Sequence, residues 1–472
     1  GGGKGMKIVQ DKDKFIGQLN SAKREAMNAF GDDQVILEKY ITKPKHIEVQ
    51  VFADSHGQVV HLFERDCSTQ RRYQKVIEEA PAAGLSDATR TDLLNAAIQA
   101  TQAIDYVGAG TIEFIMDGDD SFYFMEMNTR LQVEHRVSEL ITGVDLVAWQ
   151  IKVAQGEKLP LKQNQIHAKG HAIQVRLYAE DPLNDYLPST GLLEQVKLKK
   201  DANTLVDSGV RTSDSVTIHY DPMIAKSVVW AKDRKSCIKK MQQILNQSAV
   251  FGVKTNMTFL SQLLATQAFK NHQIFTNSLD NGDLNLSSKL SAEVIAIYAD
   301  YLLHRGENSN IWNNKNGWRL QDNHALHVEL TYQGQEMAYQ VTKEAGSYLV
   351  TEMNESRNFH YTPQASDLCH MHRHYVQVIH KNQRYELTLP NHETQTSVSN
   401  TNAIYAPMPG KIIEVKVKSG DAVKIGQALI VMEAMKMELE LKAERDAKIK
   451  SVCFGIADQV KADEILVELE SE

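Results

Sequence analysis

The chain has 472 residues, 42% of them hydrophobic and 24% charged, with a formal net charge of −8. That length allows two to four domains with substantial cores, and the composition is that of an ordinary globular protein. The acidic balance argues against a dedicated nucleic-acid binder, and no apolar run reaches the roughly 18 residues a membrane helix needs. The scattered Cys67, Cys237, Cys369 and Cys453 point to a reducing compartment rather than a disulfide framework.

The sequence opens on Gly1-Gly2-Gly3-Lys4-Gly5-Met6, a loop whose amides could approach phosphate oxygens, although it has neither P-loop nor GxGxxG spacing. Such a loop normally joins two elements, so the chain is expected to be part of a longer one. Strands are predicted over 38–53 and 59–64 around the turn Asp54-Ser55-His56-Gly57, and a helix over 86–104 with Ser86 as its N-cap. A hairpin follows over 110–116 and 122–128. If Asp117 pairs with Phe122, Glu113 faces Glu126, and Asn128 shares the face of Glu126. Facing carboxylates call for a cation, and oxygen ligands of this kind suit Mg²⁺ on nucleotide phosphates. Just beyond lie Arg130 and Glu134, with Arg176 further along. Arginine offers planar donors to a small oxyanion, and a neighbouring glutamate can take its proton. Glu38-Lys39-Tyr40 could meet an adenine edge if the strand leaves its sheet there.

From 292 to 303 a single apolar-faced helix is expected. Short alternating runs come next, over 325–332, 338–342, 348–353, 374–379 and 384–389, spaced as in an antiparallel barrel or sandwich. His370, His372 and His374 alternate and could share one strand face, although no carboxylate is set at a natural metal spacing. Residues 391–402 read as a polar tether. The end of the chain repeats itself: Lys411-Ile412-Ile413-Glu414-Val415 matches Lys448-Ile449-Lys450-Ser451-Val452 in register, and Leu429-Ile430 matches Leu466-Val467. Two similar β layers related by a pseudo-dyad are predicted, with Lys436 on an exposed turn between them.

Ala406-Pro407-Met408-Pro409-Gly410 followed by Glu433-Ala434-Met435-Lys436-Met437 resembles the biotinyl carrier domain of biotin-dependent carboxylases. Lipoyl domains share the architecture but usually carry Asp-Lys-Ala at the turn. The resemblance implies biotin bound through an amide to Lys436. Residues 1 to about 285 resemble the ATP-grasp biotin carboxylases. That likeness rests on Glu38-Lys39-Tyr40, Arg65-Asp66-Cys67-Ser68-Thr69-Gln70-Arg71-Arg72, Thr111-Ile112-Glu113-Phe114, the run from Glu126 to His135, Ala179-Glu180-Asp181-Pro182 and the run from His219 to Lys226. It implies that Glu113, Glu126 and Asn128 hold Mg²⁺ or Mn²⁺. Lys75, Arg130, Gln132 and Val133 would bind bicarbonate, with Glu134 as its base, and Arg176 would stabilise the biotin enolate. Gly2, Gly3, Lys4, Gly5, Met6, Glu38, Lys39, His46 and Gln70 would contact ATP. Tyr73 stands where the family usually has histidine, which weakens one nucleotide contact.

The fold class implied is α+β and multidomain. It comprises a partial ATP-grasp biotin carboxylase over 1–285, a helix with an antiparallel β-barrel over 286–395, a linker over 396–403 and an all-β flattened-barrel carrier over 404–472. The middle region resembles the domain joining the α and β subunits of acyl-CoA carboxylases. The family also has an N-terminal subdomain with two phosphate-neutralising lysines, whose loss should abolish or severely reduce ATP use. The pattern is therefore that of an acyl-CoA carboxylase α subunit, most similar to the 3-methylcrotonyl-CoA enzymes, with geranyl-CoA and propionyl-CoA enzymes or a carrier and assembly module as alternatives. Implied partners are a carboxyltransferase β subunit in a hetero-oligomer and a biotin protein ligase. No nucleic acid or membrane is expected, and the location would be the bacterial cytoplasm or the mitochondrial matrix.

Overall fold

The computed structural model describes residues 7–72, 74–118, 121–284, 289–304, 325–344, 347–352, 358–364, 367–372, 375–381, 383–390, 402–407, 409–434, 437–461 and 464–470. Helix α1 (Phe15–Phe30) is followed by an irregular stretch, and β1 (Lys45–Ala53) begins only after Pro44. The strand expected from residue 38 is thus shortened. Pro44 has no amide hydrogen for a ladder, and the nearby carbonyls are taken elsewhere: Thr42 O accepts from Asn277 Nδ2 at 3.0 Å and Pro44 O from Thr276 N at 2.9 Å.

Then come β2 (Val59–Arg71), β3 (Gln74–Ala80), α2 (Asp87–Ala103), β4 (Gly108–Met116), β5 (Phe122–Asn128), α3 (His135–Thr142), β6 (His171–Tyr178), β7 (Thr204–Ser208) and β8 (Met223–Ala231). They form one eight-stranded sheet in the order β7-β8-β6-β3-β2-β1-β4-β5, with each pair antiparallel. Ser86 caps α2 as expected, its side chain accepting from Thr89 N. Apolar Ile47, Val49 and Val51 of β1 pack with Leu93, Leu94 and Ala97 of α2. On the far side of the sheet order, α4 (Arg234–Asn246) and α5 (Met257–Ala265) cover β6 and β8 with Met241, Leu260 and Leu263.

The β4–β5 hairpin closes one residue earlier than expected. Met116, not Asp117, is opposite Phe122, and Asp117 N donates to Ser121 O at 2.8 Å. A one-residue bulge at Met125 compensates, so Glu113 still stands opposite Glu126.

In the middle unit α6 (Ala292–His304) has six consecutive residues, Val294 to Ala299, that are at most 4% exposed. A run longer than one turn is covered on every side, so this helix is a core element rather than one with a single apolar face. Around it lie β9 (Leu326–Tyr332), β10 (Gln335–Glu344), β11 (Ser347–Glu352), β12 (Asn358–Tyr361), β13 (Leu368–His372), β14 (Tyr375–His380) and β15 (Gln383–Thr388), in the antiparallel order β12-β11-β10-β9-β15-β14-β13. Strands β12 and β13 are additions to the five runs expected. His372 Nδ1 lies 2.9 Å from Glu194 Oε2 and its ring stacks on Phe251, so this strand turns a histidine toward the preceding unit. His374 is outside the described residues. Arg384 is wholly buried and donates to Leu245 O and Ser248 O at the C-terminal end of α4, both at 3.0 Å.

The C-terminal repeat builds β16 (Ala403–Tyr405), β17 (Gly410–Val415), β18 (Ala422–Val423), β19 (Ala428–Ala434), β20 (Met437–Lys442), β21 (Ala447–Val452), β22 (Gln459–Val460) and β23 (Ile465–Leu469). Its two sheets have the orders β16-β23-β21-β18 and β20-β19-β17-β22. The repeat superposes β17 on β21, β18 on β22 and β19 on β23, which exchanges the two sheets, as a pseudo-dyad requires. Each sheet takes strands from both halves, so the layers are interleaved rather than one repeat per layer. Ile412, Leu429, Ile430, Ile449, Leu466 and Val467 are all fully buried. Gly410 is required where it stands: a Cβ would lie 2.7 Å from Glu433 O.

Candidate functional site

Along β1 the polar residues His46, Glu48 and Gln50 alternate with the apolar ones, so one face of this strand is polar and the other is core. Register then builds a row across four strands: Arg65 of β2 is opposite Glu48, Glu48 is opposite Glu113, and Glu113 is opposite Glu126. Three carboxylates directly opposite one another would repel. Lys75 of β3 answers this, with its ammonium 2.6 Å from Glu48 Oε2, 2.9 Å from Glu113 Oε1 and 2.7 Å from Glu134 Oε1.

Glu134 comes just before α3, and its second oxygen accepts from Arg176 Nη2 at 3.0 Å. Arg176 Nε donates to Glu78 Oε1 at 2.5 Å. Charges therefore alternate through a buried chain: Arg65, Glu48, Lys75, Glu134, Arg176, Glu78. A cluster this deep is stable only when each charge has a partner. Burial pushes the Glu48 carboxyl up, but Arg65 and Lys75 overcome it and hold it down at about 2. Burial also pushes Glu113 up, and His46 and Lys75 outweigh it, keeping that group well below the usual carboxylate range. The Lys75 ammonium would lose its proton more readily on burial alone, yet Glu48 and its other anionic neighbours raise its affinity for it.

The expected residues divide between this centre and its rim. His46, Gln70, Lys75, Glu113, Gln132, Glu134 and Arg176 converge. Gln70 Nε2 lies 2.6 Å from His46 Nδ1, and Gln132 Nε2 donates to Glu113 Oε1 at 2.8 Å. Val133 O accepts from Lys226 Nζ at 2.5 Å. Glu126, Asn128 and Arg130 lie at the edge. Asn128 Nδ2 is 3.4 Å from Glu126 Oε1, and Arg130 Nη2 is 3.4 Å from Asn128 Oδ1. Among the described residues, Glu48 and His46 have ligand atoms within 4.8 Å of those of Glu113. Glu38 and Lys39 are exposed on the irregular stretch before β1, where Lys39 Nζ is 3.9 Å from Asp117 Oδ2 and 5.8 Å from the Tyr123 ring centroid. Gly2, Gly3, Lys4, Gly5, Met6, Tyr73 and Lys436 fall outside the described residues. On either side of Lys436, Ala434 pairs with Met437.

Sequence reasoning passed over Glu48 and Glu78, and it quoted Arg65 in a motif without giving it a role. The signal for Glu48 was present, because His46-Ile47-Glu48-Val49-Gln50 puts three polar side chains on one strand face. Glu78 had no such signal, since Glu78-Glu79 reads as a solvated pair until both neighbouring strands bury it. Glu134 and most of Arg176 are buried, so the two are not a surface ion pair.

Residues 1–162 match the family model described as carbamoyl-phosphate synthase L chain, ATP binding domain. Residues 174–281 match the biotin carboxylase C-terminal domain, and residues 402–469 match the model described as biotin-requiring enzyme. Over the full chain the sequence is 40% identical to a mitochondrial methylcrotonoyl-CoA carboxylase subunit alpha of Mus musculus, covering 71% of that protein. It is 35% identical to a propionyl-CoA carboxylase alpha chain of Ruegeria pomeroyi, again over the full chain and covering 76% of that protein. Among solved structures, the biotin carboxylase domain of Hydrogenobacter thermophilus 2-oxoglutarate carboxylase, in complex with MgADP and bicarbonate, aligns with a TM-score of 0.58 and 39% identity. That alignment covers 61% of this chain and 64% of the solved one. With an ATP-grasp carboxylase site and a biotin-type β repeat in one polypeptide, the chain belongs to the family of biotin-dependent acyl-CoA carboxylase α subunits, ATP-dependent ligases that work with biotin and Mg²⁺.

Proposed function

We propose that this chain uses ATP and bicarbonate to carboxylate biotin held on its own Lys436, for transfer by a separate β subunit to 3-methylcrotonyl-CoA. The observation that carries the reading is Glu134 between Lys75 and Arg176, a proton acceptor set between two anion-holding cations. The acyl-CoA assignment is supported by likeness to methylcrotonoyl-CoA carboxylase over the full chain. In this reading residues 1–285 are the carboxylase, 286–395 join the subunits, 396–403 link and 404–472 carry biotin. A biotin protein ligase loads Lys436, and the site of action is the mitochondrial matrix or the bacterial cytoplasm.

Lys75 and Arg130, with the Gln132 amide and the Val133 main chain, hold bicarbonate. A carboxylate oxygen of Glu134 takes its proton. The freed oxygen attacks the γ-phosphorus of ATP, ADP leaves, and the carboxyl group is activated as carboxyphosphate. Glu38, Lys39, His46 and Gln70 lie toward the nucleotide. The donor set Glu113, Glu126 and Asn128 fits Mg²⁺ or Mn²⁺: all are hard oxygen ligands, and Glu113 is held ionised. That ion would neutralise phosphate charge. Biotin on Lys436 would supply the ureido nitrogen that accepts the carboxyl group, with inorganic phosphate leaving and taking up the N–H proton, and Arg176 would stabilise the biotin enolate.

The test is bicarbonate-dependent ATP hydrolysis by the biotinylated chain with free biotin, then acyl-CoA carboxylation with the β subunit added. A chain that is biotinylated but hydrolyses no ATP is a carrier and assembly module. A higher kcat/KM for propionyl-CoA or geranyl-CoA than for 3-methylcrotonyl-CoA reassigns the substrate.

A further inference from the structure

Arg65 has no exposed surface, and all five of its N–H donors have acceptors. Nε donates to Glu48 Oε1 at 2.5 Å. Nη1 donates to Gln50 Oε1 at 2.7 Å and Ser138 Oγ at 3.1 Å, and Nη2 to Thr111 Oγ1 at 3.1 Å and Gln132 Oε1 at 2.9 Å. The acceptors come from β1, β4, the segment before α3, and α3 itself. A saturated guanidinium in the sheet interior does not touch substrate.

What it does is remove choices. An arginine can only donate, so Gln132 must present Oε1 to it, which turns Gln132 Nε2 to Glu113 Oε1 at 2.8 Å. In the same way Arg65 occupies Glu48 Oε1 and leaves Oε2 to face the Lys75 ammonium at 2.6 Å. One planar fork thus sets the amide orientation of Gln132 and the carboxylate plane that aims Lys75. Simple stability does not explain the choice, because apolar packing of similar volume commonly does as well as a buried ion pair. Lysine has three donors on a flexible stem and could not hold both acceptors in fixed directions.

We propose that Arg65 is a positioning residue for the bicarbonate end of the site, acting through Gln132 and the Glu48–Lys75 pair. This rests on the function proposed above.

The test compares wild type with Arg65→Lys in the full biotinylated chain, with folding checked by calorimetry. In Arg65→Lys the KM for bicarbonate is expected to rise by about tenfold or more, with the KM for MgATP within about twofold. A loss of kcat with both KM values unchanged, as from a smaller folded fraction, overturns the proposal, and so does unchanged turnover. If Arg65→Lys does not fold, the Thr111→Val/Ser138→Ala double variant strips two acceptors and keeps the charge. A rise in its bicarbonate KM of about threefold supports the proposal, and no rise overturns it. If wild type itself hydrolyses no ATP, the proposed function has failed. Arg65 is then judged from crystal structures: Gln132 Nε2 and Glu48 Oε2 keeping their contacts in the folded variant would overturn the inference, and losing them would sustain it.

Discussion

Replacing Lys75 by methionine removes one ammonium from among three carboxylates while nearly keeping the side-chain volume. Glu48 retains Arg65 and Glu134 retains Arg176, but Glu113 is left with His46 at 3.2 Å and the neutral Gln132 amide at 2.8 Å, and stands opposite Glu48 in the ladder. Breaking a buried ion pair on one side costs about 3–5 kcal/mol. With Glu48 and Glu134 still partnered, the lower figure is the better expectation, about 3 kcal/mol at neutral pH. This is a large part of the roughly 5–15 kcal/mol that stabilises a domain.

The pH dependence separates this cause from lost packing. In wild type the folded-state carboxyls of Glu48 and Glu113 are depressed, so they contribute stability above the unfolded carboxylate pKa, lost only as pH falls through the folded values. Without Lys75 the balance at Glu113 shifts upward, toward a folded state that binds a proton more readily than the unfolded chain. Stability of such a state falls as pH rises. The Tm difference between wild type and Lys75→Met, followed by calorimetry, should therefore be largest near pH 7.5 and shrink toward pH 5. A difference that is the same at both ends would refute the electrostatic account, as would a variant as stable as wild type at pH 7.5.

Glu134→Gln keeps the shape of the site but removes the proton acceptor, and bicarbonate-dependent ATP hydrolysis should fall by about 10²–10⁴ with nucleotide affinity preserved, read by titration with MgADP. Glu126→Ala, at an exposed position, should change stability by less than about 0.5 kcal/mol while raising the Mg²⁺ concentration needed for half-maximal ATP use. Lys436→Arg should abolish streptavidin capture of the chain after co-expression with biotin protein ligase, and retained capture would move the attachment site. Gly410→Ala forces a Cβ to within 2.7 Å of Glu433 O and should destabilise the carrier by about 1–3 kcal/mol, seen as loss of its calorimetric transition.

The legible parts of this protein were those written locally or repeated. The C-terminal repeat shows in matched apolar positions, and the pseudo-dyad follows because neither half can bury its face alone. Ser86 announced a helix start, and Glu113 opposite Glu126 could be counted from a hairpin, although a bulge at Met125 had to correct an error of one residue at the turn. Gln132, Glu134 and Arg176 were named from motif resemblance and do converge on one face. Only the tertiary structure decided which charges answer which. Arg65, Lys75 and Glu78 meet partners distant in sequence, Gln132, Glu134 and Arg176, and a lysine between three carboxylates looks like any other lysine until the strands that carry them close around it. The burial of helix Ala292–His304 on all sides, the mixing of both repeats in each carrier sheet, and Arg384 on the end of Arg234–Asn246 have the same origin. Periodicity in a sequence reports which face of an element is apolar; what covers that face, and which charge is paired in the space beneath it, is set by non-local packing.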